Sequence, residues 1–294
     1  MALSRERAKF AWLMCIPALG LLAAVAGYPL LRTLYYSFTD AKLATLDAPK
    51  WIGLENFVYL FQDADWWRSV FNTLLFSAFS IPLEFIIGMW FALLLHSQFR
   101  GRGVVRAAVL VPWAIPTVVS AQMWSWMFHD QYGVINEVFN MLGLLHSRPA
   151  WLAEPSLTLL AVVAVDVWKS TPFVTLLLLA GLQTIPMSLY EAARLDGVSR
   201  FNRFRYLTLP MLRPAIAVTL IFRLLDTLRI FDLPYVLTSH SKRVASMSIF
   251  ARQQMMDFQD VGYGSAASFL IFCVIGVIAY VYLRSFRSHL EGEP

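Results

Sequence analysis

Apolar residues run along this chain in long stretches, at about 10–36, 70–96, 104–127, 157–182, 214–237 and 266–285, and the segments between them carry most of the charges and turn residues. A bilayer core about 30 Å thick is crossed by roughly 20 helical residues. Each stretch therefore predicts one membrane-spanning helix. The expected fold is all-α and integral to a membrane: about six transmembrane helices in one bundle, forming a single transmembrane domain over 1–294. Pro29, Pro82, Pro112, Pro116, Pro172 and Pro234 lie in or near these stretches and are the expected sites of bends. The first stretch has a second reading. Arg5, Arg7 and Lys9, an apolar run and Ala24-Val25-Ala26 also suit a cleaved signal peptide. The run continues through Pro29, Leu30 and Leu31, however, and is long enough to span.

Composition supports the bilayer reading, with 58% hydrophobic and only 15% charged residues. The excess of Lys+Arg 24 over Asp+Glu 19 does not point to nucleic acid, because the basic residues sit in short segments between apolar runs. If the amino terminus is cytoplasmic, that side collects Arg5, Arg7, Lys9, Arg100, Arg102 and Arg106, the arginines from Arg194 to Arg213, and Arg284 and Arg287. The other side holds fewer, namely Lys42, Lys50, Arg68, Arg148, Lys242, Arg243 and Arg252. Positive residues mark the inside, so both termini are expected in the cytoplasm. Cys15 and Cys273 fall in apolar runs and are expected to be buried free thiols. The outer segments 37–69, 128–156 and 238–265 are rich in aromatic and acidic residues, including Trp51, Trp66, Trp67 and Trp151. They suit either an interfacial aromatic belt or a docking surface for an external partner.

Between the fourth and fifth stretches lies Glu191-Ala192-Ala193-Arg194-Leu195-Asp196-Gly197, followed by Phe201, Phe204, Leu207 and Leu209-Pro210. This reads as helix, turn, helix: Gly197 can adopt the left-handed conformation that ends a helix, and Ser199 can cap the next. Helix logic alone leaves it an amphipathic connector on the membrane surface, with Arg200, Arg203 and Arg205 near anionic headgroups.

The spacing Glu-Ala-Ala, three residues, Gly, nine residues, an aliphatic, one residue, Leu-Pro resembles the signature loop of the membrane subunits of bacterial ATP-binding-cassette importers. Gly53-Leu54-Glu55-Asn56-Phe57, Asn72-Thr73-Leu74 and Pro82-Leu83-Glu84 are similar to the carbohydrate branch of that family, maltose/trehalose type. The resemblance implies a coupling loop at about 186–213, in which Glu191, Ala192, Ala193, Asp196, Gly197, Leu209 and Pro210 seat on a cytoplasmic ATPase. It also implies the partners: a second homologous permease subunit, a homodimer of ATPase subunits and an extracytoplasmic sugar-binding protein, in a bacterial inner membrane. A di- or oligosaccharide would be the cargo.

Polar residues inside the spans are costly and need a reason. The fourth stretch holds Asp166, Trp168, Lys169, Ser170 and Phe173, and the fifth holds Arg223, Asp226, Thr227, Arg229, Ile230 and Asp232. One reading is internal pairing at i, i+3, Asp166 with Lys169 and Asp226 with Arg223 or Arg229. The other is a sugar pathway, in which carboxylates and guanidinium take hydroxyls and Trp168 and Phe173 offer ring faces. By resemblance to maltose-type permeases, Asp166, Ser170, Phe173, Asp226, Thr227 and Ile230 are candidates for that pathway, and Trp168 and Arg229 join them as a ring face and a guanidinium.

Chemistry on this chain itself is not expected. None of Lys9, Lys42, Lys50, Lys169 and Lys242 follows a Gly, so there is no Gly-Lys-Ser/Thr phosphate cradle. The His 5 residues, His96, His129, His146, His240 and His289, have no metal-ligand spacing. No cofactor is expected here, ATP and Mg being the business of the ATPase partner. The rival readings are an ion-coupled secondary transporter using Asp166 or Asp226, and an integral membrane enzyme.

Overall fold

The computed structural model describes residues 2–144, 147–238 and 244–291. His146 and His240, together with Ser239, Lys242 and Arg243, lie outside the described residues. Among the described residues there is no strand, only isolated bridges pairing Thr39 with Trp51 and Lys42 with Asp260. Contacts divide the chain into two compact units, Met1–Trp66 with Phe250–Cys273, and Trp67–Ile249 with Val274–Pro294. Among the described residues, four helices are long and apolar enough to cross a membrane, or up to six if each of two bent pairs is one span.

In the first unit, α1 (Ala2–Leu22) runs through one π-helical turn into α2 (Tyr28–Tyr36). The resulting span Phe10–Tyr36 buries 0% of its most apolar stretch within the chain. Cys15 is accordingly exposed, not buried as expected, because its helix packs none of its most apolar stretch against the rest of the chain. The two cysteines are free thiols. Short α3 (Glu55–Gln62) follows, and Asn56 explains part of its motif: the buried amide donates to the carbonyls of Ser37 and Thr39, at 3.0 and 2.9 Å. Asp63 then opens α4 (Ala64–His96) by accepting the Asp65 N–H at 2.8 Å, while its other oxygen accepts from the Tyr263 hydroxyl at 2.7 Å.

Two tryptophans of the expected belt are core residues. Trp66 is 2% exposed and packs on Phe250, and in the second unit buried Trp151 donates to Asn136 at 2.7 Å. Trp51, by contrast, is exposed and stacks on Phe38. Gly262 donates its N–H to the Ala41 carbonyl at 2.8 Å, and a Cβ there would stand 2.2 Å from the Thr39 carbonyl oxygen. A Gly262→Ala variant is therefore expected to lose about 1–3 kcal/mol through overpacking against backbone. Thermal unfolding in detergent measures this, with Gly20→Ala as the comparison free of overpacking and expected to lose no stability, since nothing lies within 4 Å of that position.

The second unit holds α5 (Arg102–Ala114), α6 (Thr117–Met127), α7 (Val134–Met141), α8 (Pro155–Gln183), α9 (Met187–Leu195), α10 (Arg200–Arg203), α11 (Leu209–Met211), α12 (Arg213–Leu228) and α13 (Asp232–Leu237). After the undescribed gap come α14 (Met247–Arg252) and α15 (Val261–Glu291), each of which contributes residues to both units. Helix α8 is the axis of the second unit, with 67% of its apolar stretch buried. Gly88 lets α4 approach it, since a Cβ there would meet Val174, and Gly181 does the same for α12 at Ala215.

The stretch read as 104–127 is broken. Helices α5 and α6 meet at 93° around Ile115 and Pro116. Proline lacks the N–H that would continue the ladder and pushes the residue before it out of the helical region, and Ile115 is indeed extended at ψ 134°. The stretch read as 214–237 is broken too, because α12 ends at Leu228 and α13 begins at Asp232. Pro82 and Pro172 sit within continuous helices.

Candidate functional site

Helices α4, α8 and α12 each place one charged side chain at a common point within the second unit. From α4 comes Glu84, fully buried; from α8 comes Asp166, 6% exposed; from α12 comes Arg223, 3% exposed. The guanidinium meets Glu84 side-on, Nε to Oε2 at 2.5 Å and Nη2 to Oε1 at 2.6 Å, and Nη2 also reaches Asp166 Oδ2 at 2.9 Å. Its Nη1 donates to Asp226 Oδ2 at 2.7 Å, one turn along α12. A planar fork with five donors is the side chain suited to several carboxylates at once. The Ser80 hydroxyl lies 2.9 Å from Glu84 Oε1 and 2.5 Å from Asp166 Oδ2, and Ser170 donates to Asp166 Oδ1 at 3.2 Å.

The cluster forms one wall of a polar cavity of about 300 Å³, lined by Thr117, Asp166, Lys169, Ser170, Arg223, Asp226, Thr227, Arg229, Ile230, Phe231, Asp232 and Leu233. The break between α12 and α13 builds its other side, because residues 229–231 leave the helix there. Arg229 and Asp226 are well exposed to this space, at 69% and 59%, and their nearest approach is a loose 3.9 Å. Lys169 does not pair with Asp166. Its ammonium donates to the Ile115 carbonyl at 2.6 Å, satisfying an acceptor that the α5–α6 break leaves without a helical partner. The i, i+3 logic thus holds for Arg223 with Asp226 and fails for Asp166 with Lys169.

Six of the eight pathway candidates, Asp166, Ser170, Asp226, Thr227, Arg229 and Ile230, line this cavity. Trp168 and Phe173 do not. Trp168 lines a separate apolar cavity and packs edge-on to Trp124, with centroids 5.4 Å apart. Phe173 lies between Trp113 and Phe222, 6.2 Å from each. The aromatic lining residue is Phe231 instead. Sequence reasoning gave Glu84 no place in the site, although it is the one carboxylate in the 70–96 stretch and an isolated intramembrane acid is itself a signal.

The second candidate region is the turn after α8. Helix α9 ends at Leu195 with Asp196 as its C-cap, and Gly197 sits at φ 70°, in the left-handed region expected of it. Val198 N–H bonds to Ala193 O at 3.0 Å and Gly197 N–H to Arg194 O at 3.1 Å, the paired bonds of a Schellman stop. Ser199 then caps α10 by accepting the Asn202 N–H at 3.3 Å. Tyr190 anchors the inner side through Thr208 at 3.1 Å and packs on the cluster formed by Ala92, Leu95, Leu178, Leu182 and Leu212. The outer side is uncovered: Glu191, Ala192, Asp196, Gly197 and Leu209 are exposed, Ala193 and Pro210 are half-buried, and Leu195 is 90% exposed.

Among the described residues, no group of three or more His, Cys, Asp or Glu is arranged to hold a metal ion. The family model that matches the chain is described as binding-protein-dependent transport system inner membrane component, and it covers residues 84–291. The trehalose/maltose transport system permease protein MalF of Thermococcus litoralis is 41% identical over 96% of this chain and 95% of its own length. The trehalose transport system permease protein SugA of Mycobacterium tuberculosis is 40% identical over 97% and 92%. In fold, the chain is similar to a chain of a bacterial alginate ABC transporter crystallised with an alginate pentasaccharide-bound periplasmic protein. That match has a TM-score of 0.81 at 24% identity and covers 94% of this chain and 93% of the other.

Proposed function

The chain belongs to the binding-protein-dependent transport system inner membrane components, and from that premise we propose that it is a pore-forming subunit of an ATP-driven importer for a di- or oligosaccharide of the trehalose/maltose class. Family membership supports a transport permease over the ion-coupled carrier and the membrane enzyme considered from the charges alone. The observation that carries the reading is the uncovered α9 turn. A 90% exposed leucine beside a glycine-terminated helix is a surface for another protein, and Glu191, Ala192, Ala193, Asp196, Gly197, Leu209 and Pro210 would seat it on the ATPase.

The cargo reading rests on the polar cavity and the names of the relatives. Sugar hydroxyls donate and accept, and the lining supplies both kinds of partner: carboxylates of Asp226 and Asp232, hydroxyls of Ser170, Thr117 and Thr227, and the Arg229 guanidinium. In this scheme the binding protein delivers sugar from outside, and both termini lie in the cytoplasm. The ATPase pair, carrying ATP and Mg, closes and opens, and a second membrane subunit completes the path. This chain breaks no bond. Its two conformations differ in affinity for sugar and for the closed ATPase pair, and that difference is what converts hydrolysis into import.

The test is to purify the chain gently through a carboxyl-terminal tag, identify its companions by mass spectrometry, and measure sugar-stimulated ATPase after reconstitution with the binding protein. An ATPase and a second multi-span subunit should co-purify, and trehalose or maltose should stimulate hydrolysis. Isolation of the chain alone, from membranes where a known complex survives, would overturn the reading. In the same assay, Asp226→Asn should raise the sugar concentration for half-maximal stimulation about tenfold, the loss expected of a charged hydrogen-bond partner. An unchanged response would make Asp226 a structural charge only.

A further inference from the structure

Between α4, α5 and α8 lies a second cavity of about 600 Å³, on the face of α5 that carries Val104, Val105, Ala108, Val109 and Pro112. It opens outward, since Val104 is 75% exposed and Ala108 is exposed. Its lining is apolar apart from Thr171 and the indole N–H of Trp168, so water has too few partners to fill it. Left empty, it would forfeit the dispersion contacts of its whole lining. In a bilayer, the filler at hand is a hydrocarbon chain.

Three further observations specify more than a chain. The Thr171 hydroxyl, on a residue 4% exposed that lines the cavity, has no hydrogen-bond partner among the described residues. Arg106 Nε, a donor buried beside Val105, has none either. Arg102, Val105, Arg106 and Val109 fall on one strip of α5 at i, i+3, i+4 and i+7, so two cations stand in line with the apolar lining. Arg100, Arg102 and Arg106 form no ion pair among the described residues, and the stretch 96–106 contains no carboxylate.

We infer that this groove is a binding site for one anionic phospholipid, its phosphate on Arg102 and Arg106 and an acyl chain along Val104, Ala108, Ile87 and Phe91. The Thr171 hydroxyl supplies the donor that an ester carbonyl accepts. A basic rim over an apolar slot between transmembrane helices is the arrangement that selects anionic headgroups. The site shares no lining residue with the charged cluster or the polar cavity and does not depend on what is transported.

The experiment is quantitative lipid extraction from the purified transporter complex, compared with the bulk membrane. Phosphatidylglycerol or another anionic phospholipid should be enriched. Its retention should fall about fivefold in Arg106→Gln, the loss of one surface-adjacent cation, and at least as far in Ala108→Trp, which fills the slot from an exposed position. A photo-crosslinking residue at position 104 should capture phospholipid. No enrichment, retention unchanged in both variants, or capture of another protein's span at position 104 would each overturn the assignment, the last by making the groove a subunit contact.

Discussion

An Arg223→Met variant is expected to destabilise the second unit by about 3–5 kcal/mol, because two buried carboxylates are left facing each other without their cation. Glu84 and Asp166 lie within hydrogen-bond reach of the same Ser80 hydroxyl and of the same Nη2, so they share one counter-charge. Unfolding of the purified complex in detergent, followed by temperature or by denaturant, reads the loss. Arg223→Lys should fall between the parent and Arg223→Met, since an ammonium keeps the charge and cannot reproduce the side-on fork. Adding Glu84→Gln and Asp166→Asn to Arg223→Met should recover most of the stability, because no uncompensated charge then remains buried. A single variant as stable as the parent would show that the cluster is hydrated and unimportant to the fold.

The second large effect is expected at Gly197. Its φ of 70° costs a residue with a Cβ about 1–2 kcal/mol, yet a methyl group placed at this position would meet nothing within 4 Å. Gly197→Val should therefore fray the Schellman stop and reduce uptake about tenfold or more, leaving the sugar affinity of the separate binding protein unchanged. Gly197→Asn separates two causes, because asparagine tolerates the left-handed region. Normal uptake by that variant means that backbone conformation is the requirement. Failed uptake with intact folding means that a partner surface comes too close for any side chain. Normal uptake by Gly197→Val would remove the coupling role.

What could be read from the sequence was whatever the physics keeps local. Long apolar runs announced the spans, and Gly197 and Ser199 announced a helix stop and start, because both are settled within a few residues. Pro116, Pro82 and Pro172 carry the same local message, and only the first ends a helix. Pro116 falls where α5 turns through 93°, and Lys169 from another helix takes up the freed Ile115 carbonyl. The stop at Leu228 has no glycine or proline before it to mark it. Spacing offers Asp226 either Arg223 or Arg229, and Arg223 makes the close pair. The stronger partner, Glu84, is 139 positions away, beyond any periodicity argument. Trp168 and Phe173 were placed by analogy with a motif; rotation about α8 decides which cavity an aromatic ring faces, and the motif says nothing of that.

The difference between the buried knot and the cavity rim governs how this protein can change over generations. Arg229, Ile230 and Asp232 stand on the non-helical lip or at its edge, and none of them belongs to the buried ion-pair cluster. A lineage moving to a new cargo has these positions open to it one mutation at a time. Glu84, Asp166 and Arg223 allow no such gradual route, since the loss of any one strands the charge of another. Descent should pass that trio on as a block, while the lip beside it drifts.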